Sequence, residues 1–251
     1  MQLTKCQVII LVVCAVIITI LLLWALAPAL CAPSIDKFVS GKASLTWVSS
    51  EHLLHNATNG DVIFLSGNTY AEKSIRWHTS SCFSHMALII REKDEDLLEA
   101  EKETSPDGLT AFVWEADIGQ GYKKGPRVMR LRDKLKRWKG SKVGMWKRYV
   151  SFETPSSKEI LEQATKMVDR TMDNSMVSWF FADYPNSSLF NFFKGKGKVY
   201  CSELVAETLQ NIGIMEKDHH PGWYSPESFA SDAVKLKRGV YSTPLYFKLE
   251  T

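Results

Sequence analysis

The feature that most constrains this chain is a long stretch near its N-terminus, Gln7–Ser34, that contains no charged residue. Within it, Val8–Ala27 is apolar except for Thr19. A helix needs about 20 such residues to cross the hydrocarbon core of a bilayer. The segment begins after Lys5 and ends before Pro28, so the sequence predicts one membrane-spanning helix in residues 8–27, in contact with bilayer lipid.

A cleaved signal peptide is the alternative interpretation of this stretch. Ala29 and Cys31 are small enough to form a cleavage site before Ala32. Signal peptides usually have an apolar region of about 7–15 residues, which is shorter than the one found here. The length therefore favours an uncleaved, single-pass anchor.

The sequence leaves the side of the membrane open. Lys5 lies on one flank of the apolar stretch and Lys37 and Lys42 lie on the other, so the basic residues give almost no orientation signal. Asn56 and Asn186 each begin a glycosylation triplet, which permits a lumenal domain without requiring one.

Charge outside the anchor argues against nucleic acid as a partner. Leaving Lys5 aside, the remaining 30 basic and 28 acidic residues give a net charge of 30 − 28 = +2, which attracts phosphate only weakly at long range. One basic run, Lys123–Lys147, contains Trp138 and Trp146. We interpret it as a solvated helix face or loop; an anionic membrane surface is the better functional alternative and nucleic acid the weaker one.

The chain divides into an anchor (residues 1–31), a connector (32–57) and one domain (58–251). Periodicity and turn residues predict strands and helices in the domain. The predicted strands are Val62–Leu65, Ser84–Ile90, Ala111–Ala116, Arg127–Leu131, Val143–Tyr149 and Tyr241–Leu249. The predicted helices are Ser157–Met172, Val199–Ile212 and Pro226–Ala233, with a short one near Val48–His55. This pattern predicts an α+β domain with helices packed on a curved sheet.

Three residues of this domain have the chemistry of a thiol nucleophile and its helpers. Cys201 is expected in the first turn of a helix, where free N–H groups and the helix dipole favour a thiolate. His85 lies in an apolar strand, where a buried imidazole needs a partner. Glu115 on the following strand is a candidate to orient it, which would repeat the logic of a catalytic triad.

Structural interpretations of the same residues are also open. A buried cysteine is often only a small apolar side chain, and a strand histidine is often a satisfied core residue. A Cys82–Cys201 disulfide is another possibility, although two cysteines do not form a disulfide framework.

The order of several motifs resembles the permuted NlpC/P60 superfamily, a papain-like group that includes the YiiX/YaeF-like bacterial proteins and a related poxvirus protein. The resemblance covers roughly residues 58–235. The motifs are GDVIF (60–64), SHMALII (84–90), VWEA (113–116), YCSELV (200–205) and YSPESF (224–229). In the permuted group the histidine strand precedes the cysteine helix, as it does here.

This resemblance implies a circularly permuted papain-like fold, in which a curved antiparallel sheet packs against the cysteine-bearing helix. It implies Cys201 as nucleophile, His85 as base and Glu115 as orienter, with Glu99 as a rival for the third role. The backbone N–H groups of Cys201 and Ser202 become candidates for an oxyanion hole.

The sequence favours a membrane-anchored cysteine hydrolase that acts on an amide or ester bond of a peptide or lipid. Two alternatives stay open: a lipid acyltransferase of the lecithin:retinol acyltransferase-like type, and a membrane-tethered binding module without turnover. No cofactor or metal is expected. His219 and His220 have no companion ligands at a metal-binding spacing, and no nucleotide-binding glycine motif is present.

Overall fold

The architecture comes from a computed structural model, which describes residues 5–42, 44–93, 108–117, 124–172 and 197–249. The α-helices are α1 (Lys5–Cys31), α2 (Ile35–Ser40), α3 (Ser50–Asn56), α4 (Tyr70–His78), α5 (Leu131–Arg137), α6 (Ser157–Met167), α7 (Cys201–Asn211) and α8 (Pro226–Ala230). A short 3₁₀ turn covers Pro221–Trp223.

The strands of the main sheet are β1 (Thr46–Val48), β2 (Val62–Leu65), β3 (His85–Lys93), β4 (Leu109–Asp117), β5 (Gly125–Arg130), β6 (Val143–Lys147) and β11 (Leu245–Lys248). Two smaller sheets are formed by β7 (Tyr149–Val150) with β10 (Val240–Tyr241), and by β8 (Thr171–Met172) with β9 (Lys198–Val199).

The main sheet has seven strands in the order β1-β11-β6-β2-β3-β4-β5. Its neighbouring strands are antiparallel except at one edge, where β1 runs parallel to β11. The expected α+β class is therefore found, but the expected antiparallel sheet is in fact mixed. The parallel pair arises because β1, which precedes the β2–β3 hairpin, pairs with β11.

Side chains alternate between two apolar cores, one on each face of the sheet. This alternation follows from the two-residue period of a strand. One core contains α7, and its members include Met86, Leu88, Trp114, Leu204, Val205 and Leu209. The other core contains α3 and α5, and its members include Leu53, Ala87, Ile89, Val113, Leu131 and Trp146.

The ends of several elements differ from the sequence prediction. The helix predicted over Ser157–Met172 ends at Met167, and β8 follows it. The predicted strand Tyr241–Leu249 is two short strands, β10 and β11. The helix predicted over Val199–Ile212 begins at Cys201, and Gly213 follows its C-cap with a φ of 74°, a backbone conformation that glycine adopts without strain.

Residues 32–57 also contribute to the sheet and the cores. They form α2, β1 and α3. Ile35 and Leu53 are fully buried, one in each core. This part of the chain therefore packs with the residues that follow it.

The apolar helix α1 packs against α4. Within α1, Val12–Cys31 has a mean hydropathy of 2.7 and is long and apolar enough to cross a membrane, a test that a signal sequence also passes. Tyr70 of α4 donates a hydrogen bond from its hydroxyl to the carbonyl of Ala25 at 2.6 Å. Trp77 of α4 meets Trp24 edge to face, with ring centroids 6.0 Å apart. These contacts join α1 to α4.

Candidate active site

Cys201 is the first residue of α7. Its side chain is buried, and it belongs to the core that holds this helix against the sheet. The helix is also tied to β4, because the indole N–H of Trp114 donates to the hydroxyl of Thr208 at 3.0 Å. The first N–H groups of a helix have no partners within it and carry partial positive charge. Cys201 therefore occupies a fixed place at the N-terminal end of α7, beside this partial positive charge.

His85 is the first residue of β3, and only 6% of it is exposed. Its Nε2 lies 2.7 Å from Oε2 of Glu115. The indole of Trp138 stacks on the imidazole, with ring centroids 5.6 Å apart and an angle of 26° between the planes. The hydrogen bond and the stacking together fix the orientation of the ring.

The side chain of Cys201 lies close enough to the imidazole of His85 to raise its pKa. Because Nε2 is bound to Glu115, Nδ1 is the ring nitrogen left for the thiol. Along β3, His85 lies on the same face of the sheet as Ala87 and Ile89. These two residues belong to the core on the face opposite to α7. His85 is the first residue of β3, so this contact is made at the end of the strand.

Glu115 is surrounded by two cations besides His85. Arg127, its cross-strand partner on β5, donates Nε and Nη2 to Oε1 at 3.0 and 2.7 Å. Lys134 of α5 places its Nζ 2.7 Å from Oε2, the oxygen that His85 also uses. Asp117, two residues along the strand, accepts from Arg127 at 2.7 Å and from Lys134 at 2.8 Å. The orienting carboxylate is thus held in a buried network of charges.

These contacts perturb the ionisation of the site. Burial alone would raise the pKa of Glu115, but the Lys134 charge, the hydrogen bond and charge of His85, and Arg127 hold it far below its usual range. Burial and the Lys134 charge lower the pKa of His85, while its bonds to Cys201 and Glu115 and the Glu115 charge outweigh them and raise it to about 9. Glu115 is therefore a carboxylate and His85 favours the imidazolium near neutral pH.

His85, Glu115 and Asp117 also have the donor types of a metal site, with one ligand atom from each within 4.8 Å of the others. The carboxylates, however, already accept hydrogen bonds from Lys134 and Arg127. A divalent cation at this position would be repelled by both side chains. The donor set therefore fits an internal ion network better than a metal centre.

A cavity of about 270 Å³ opens beside Cys201. Three segments supply most of its wall: Ile75, His78 and Thr79 at the C-terminal end of α4, Tyr200–Ser202 at the N-cap and start of α7, and the segment Gly222–Pro226. Ser84, the neighbour of His85, contributes as well. The cavity therefore opens onto both the Cys201 thiol and the N-terminus of α7.

The chain was compared with family models, curated proteins and solved structures. No protein-family model matches the sequence, and no curated protein matches it with significance. Among solved structures, it is similar to "metalloprotein yiiX from Escherichia coli O157:H7, DUF1105", at 16% identity over 74% of this chain and 89% of that chain, with a TM-score of 0.39.

The structure brings together Cys201, His85 and Glu115, the three residues singled out from the sequence. Glu99, the rival for the third role, lies outside the described residues. Cys82 and Cys201 are both free thiols, so the disulfide alternative is not found.

Sequence reasoning missed the cations behind Glu115. The run Lys123–Lys147 was interpreted as solvated, yet only 3% of Lys134 and none of Lys147 is exposed. That interpretation is wrong for these two lysines. The position of Asp117 could have been predicted from the sequence, since strand alternation places it on the same face of the sheet as Glu115. Lys134 carried none, because a lysine in a basic stretch is normally solvated.

Proposed function

We propose that this protein is a membrane-anchored cysteine hydrolase with a circularly permuted papain-like domain, acting on an amide or ester carbonyl. The observation that carries the proposal is the Cys201–His85–Glu115 array at a helix N-terminus beside a cavity. The chain order of histidine before cysteine supports the permuted arrangement. The apolar helix α1 supports the anchor.

In the proposed reaction, the Cys201 thiolate attacks the carbonyl carbon and the C=O electron pair moves onto oxygen. We infer that the backbone N–H groups of Cys201 and Ser202, in the first turn of α7, bind that oxyanion. As the tetrahedral intermediate collapses, His85 gives its proton to the departing amine or alcohol, and a thioester remains on sulfur. His85 then takes a proton from water, whose oxygen attacks the thioester; the acid is released and the thiol is restored.

The test compares Cys201→Ala with Cys82→Ala on p-nitrophenyl acyl esters and short peptides. We expect Cys201→Ala to lose at least about 1000-fold in rate, because nucleophile, base and orienter act as a unit. Cys82→Ala should keep the parent rate. The thioester should appear as an added acyl mass on tryptic peptide 199–217, which contains Cys201, and hydroxylamine should remove it. Full activity in Cys201→Ala would refute the mechanism.

A lipid substrate is the second candidate, and one observation favours it. Helix α4 packs on α1 through Tyr70 and Trp77 and also lines the cavity with Ile75 and His78. Trp24 and Ala25, the partners on α1, lie within the segment that can span a membrane. The reactive thiol would then lie close to the membrane surface, within reach of the ester groups of lipids.

Reconstitution in phosphatidylcholine vesicles tests this candidate, with Cys201→Ala as the control. Free fatty acid and lysolipid would indicate hydrolysis, and an acyl chain moved to another lipid would indicate acyl transfer. An unchanged lipid profile would refute the hypothesis of a lipid substrate. If a thiol-directed probe also fails to label Cys201 under reducing conditions, a binding module becomes the better interpretation.

The orientation of the domain can be tested at the glycosylation triplets. Asn56 is exposed at the end of α3, where its side-chain amide donates to the carbonyl of His52 at 2.9 Å. If the domain is lumenal or extracellular, we expect deglycosylation to increase the mobility of the expressed protein, and Asn56→Gln with Asn186→Gln to abolish that change. If the domain faces the cytosol, no mobility change should occur.

A further inference from the structure

We propose that Lys134, held in place by Asp117, is a positioning residue of this site: it fixes the Glu115 carboxylate and limits the pH range over which His85 stays protonated. The inference rests on the cysteine chemistry proposed above. It goes beyond that proposal because it assigns a function to a side chain outside the Cys–His–Glu array.

The geometry ties Lys134 directly to the base. Its Nζ lies 2.7 Å from Oε2 of Glu115, and Nε2 of His85 lies 2.7 Å from the same oxygen. On its other side, Nζ donates to Oδ2 of Asp117 at 2.8 Å. The ammonium also lies 5.0 Å from the ring centroid of Trp138, which stacks on His85. Lys134 thus contacts both groups that orient the imidazole.

Charged and ionisable groups from four elements surround His85 or contact its carboxylate neighbours. Glu115 and Asp117 come from β4, Arg127 from β5, Lys134 from α5 and the thiol of Cys201 from α7. Two carboxylates and two cations balance one another, so the Cys201–His85 pair can hold or exchange its proton without leaving an uncompensated charge.

Loss of the Lys134 charge would leave one carboxylate charge in excess beside His85. That excess would keep the proton on the imidazole more firmly. A general acid works best when it releases its proton near the operating pH. Lys134 therefore keeps His85 able to protonate a leaving group.

The test measures alkylation of Cys201 against pH in the full-length chain in detergent, and needs no substrate. Anionic iodoacetate is favoured over neutral iodoacetamide only while a cation lies beside the thiolate. The ratio of the two alkylation rates therefore falls as His85 loses its proton, and the pH midpoint of that fall reports His85. Mass spectrometry of tryptic peptide 199–217 follows Cys201, and peptide 77–91 follows Cys82 as an internal control. Thermal unfolding checks that each variant is folded.

We expect Lys134→Met to move that midpoint upward by at least about one pH unit, and Lys134→Arg to restore it. Asp117→Asn should move it downward, because it removes a negative charge that faces His85 while Lys134 stays paired with Glu115 at 2.7 Å. This opposite shift tests the proposal even if Lys134→Met does not fold. A merely structural lysine would leave the midpoint unchanged.

Two failures are distinguishable. If the midpoint does not move in folded Lys134→Met, or if Asp117→Asn shifts it upward, the inference about Lys134 is wrong and the cysteine chemistry stands. If Cys201 in the parent protein reacts no faster than Cys82 and shows no reagent preference, the proposed function itself fails.

Discussion

The raised pKa of His85 makes the stability of the folded protein depend on pH in a defined window. The group has a pKa of about 9 in the folded protein, against 6.5 for an unperturbed histidine. Because the folded value is the higher one, its contribution to the free energy of unfolding is complete below pH 6.5. It is lost as the pH rises through about 9.

The size of this contribution follows from the difference between the two pKa values. At about 1.4 kcal/mol for each tenfold change in proton affinity, it amounts to about 3 kcal/mol. His85 is only 6% exposed, so solvent screening reduces this figure little. The hydrogen bond to Glu115 at 2.7 Å and the contact with Cys201 are the interactions that weaken when the proton leaves.

The assay is urea unfolding of the full-length chain in detergent at pH 6, 7.5 and 9.5, followed by tryptophan fluorescence. The matched control is His85→Gln, which keeps a polar side chain that does not titrate. Between pH 6 and 9.5 we expect the parent protein to lose about 3 kcal/mol more than the control. Equal losses in both proteins would refute the reasoning, since they would assign the pH dependence to other groups.

Two further predictions concern packing. Gly144→Ala should destabilise the protein by about 1–3 kcal/mol, because a Cβ there would lie 2.3 Å from the ring of Phe247; Gly41→Ala, whose nearest contact is 3.5 Å, is the control, and equal denaturation midpoints would contradict the prediction. Trp24→Ala and Trp77→Ala should be coupled by about 0.5–1.5 kcal/mol in a double-mutant cycle of thermal unfolding, as their rings touch edge to face. Additive effects would show that this contact contributes nothing.

Much of the candidate site could be predicted because its signals are local. Strand alternation predicts that Glu115 shares a face with Ala111 and Val113, and the two apolar residues do lie in one core. Helical spacing predicted that Cys201 lies in the first turn of a helix, and the glycine after Ile212 predicted where that helix ends. Neither inference needs knowledge of a distant part of the chain.

The partners of these residues were harder to predict, because long-range register decides them. Arg127 meets Glu115 only because β5 pairs with β4 in one particular register. Lys134 is buried only because α5 covers the face of the sheet that carries Glu115 and Asp117. Local sequence patterns predict that Arg127 and Lys134 are exposed to solvent, since an unpaired charge is costly to bury.

The sequence by itself determined the apolar N-terminal helix, the α+β class and the three residue types of the candidate site, because each depends on composition or on a short period. Only the tertiary structure decided that His85, on the face opposite to α7, still reaches Cys201 at the end of β3. It alone decided that Lys134 shares an oxygen of Glu115 with His85. These side chains pair because they are buried: a charge removed from water needs an opposite charge nearby to offset its lost hydration.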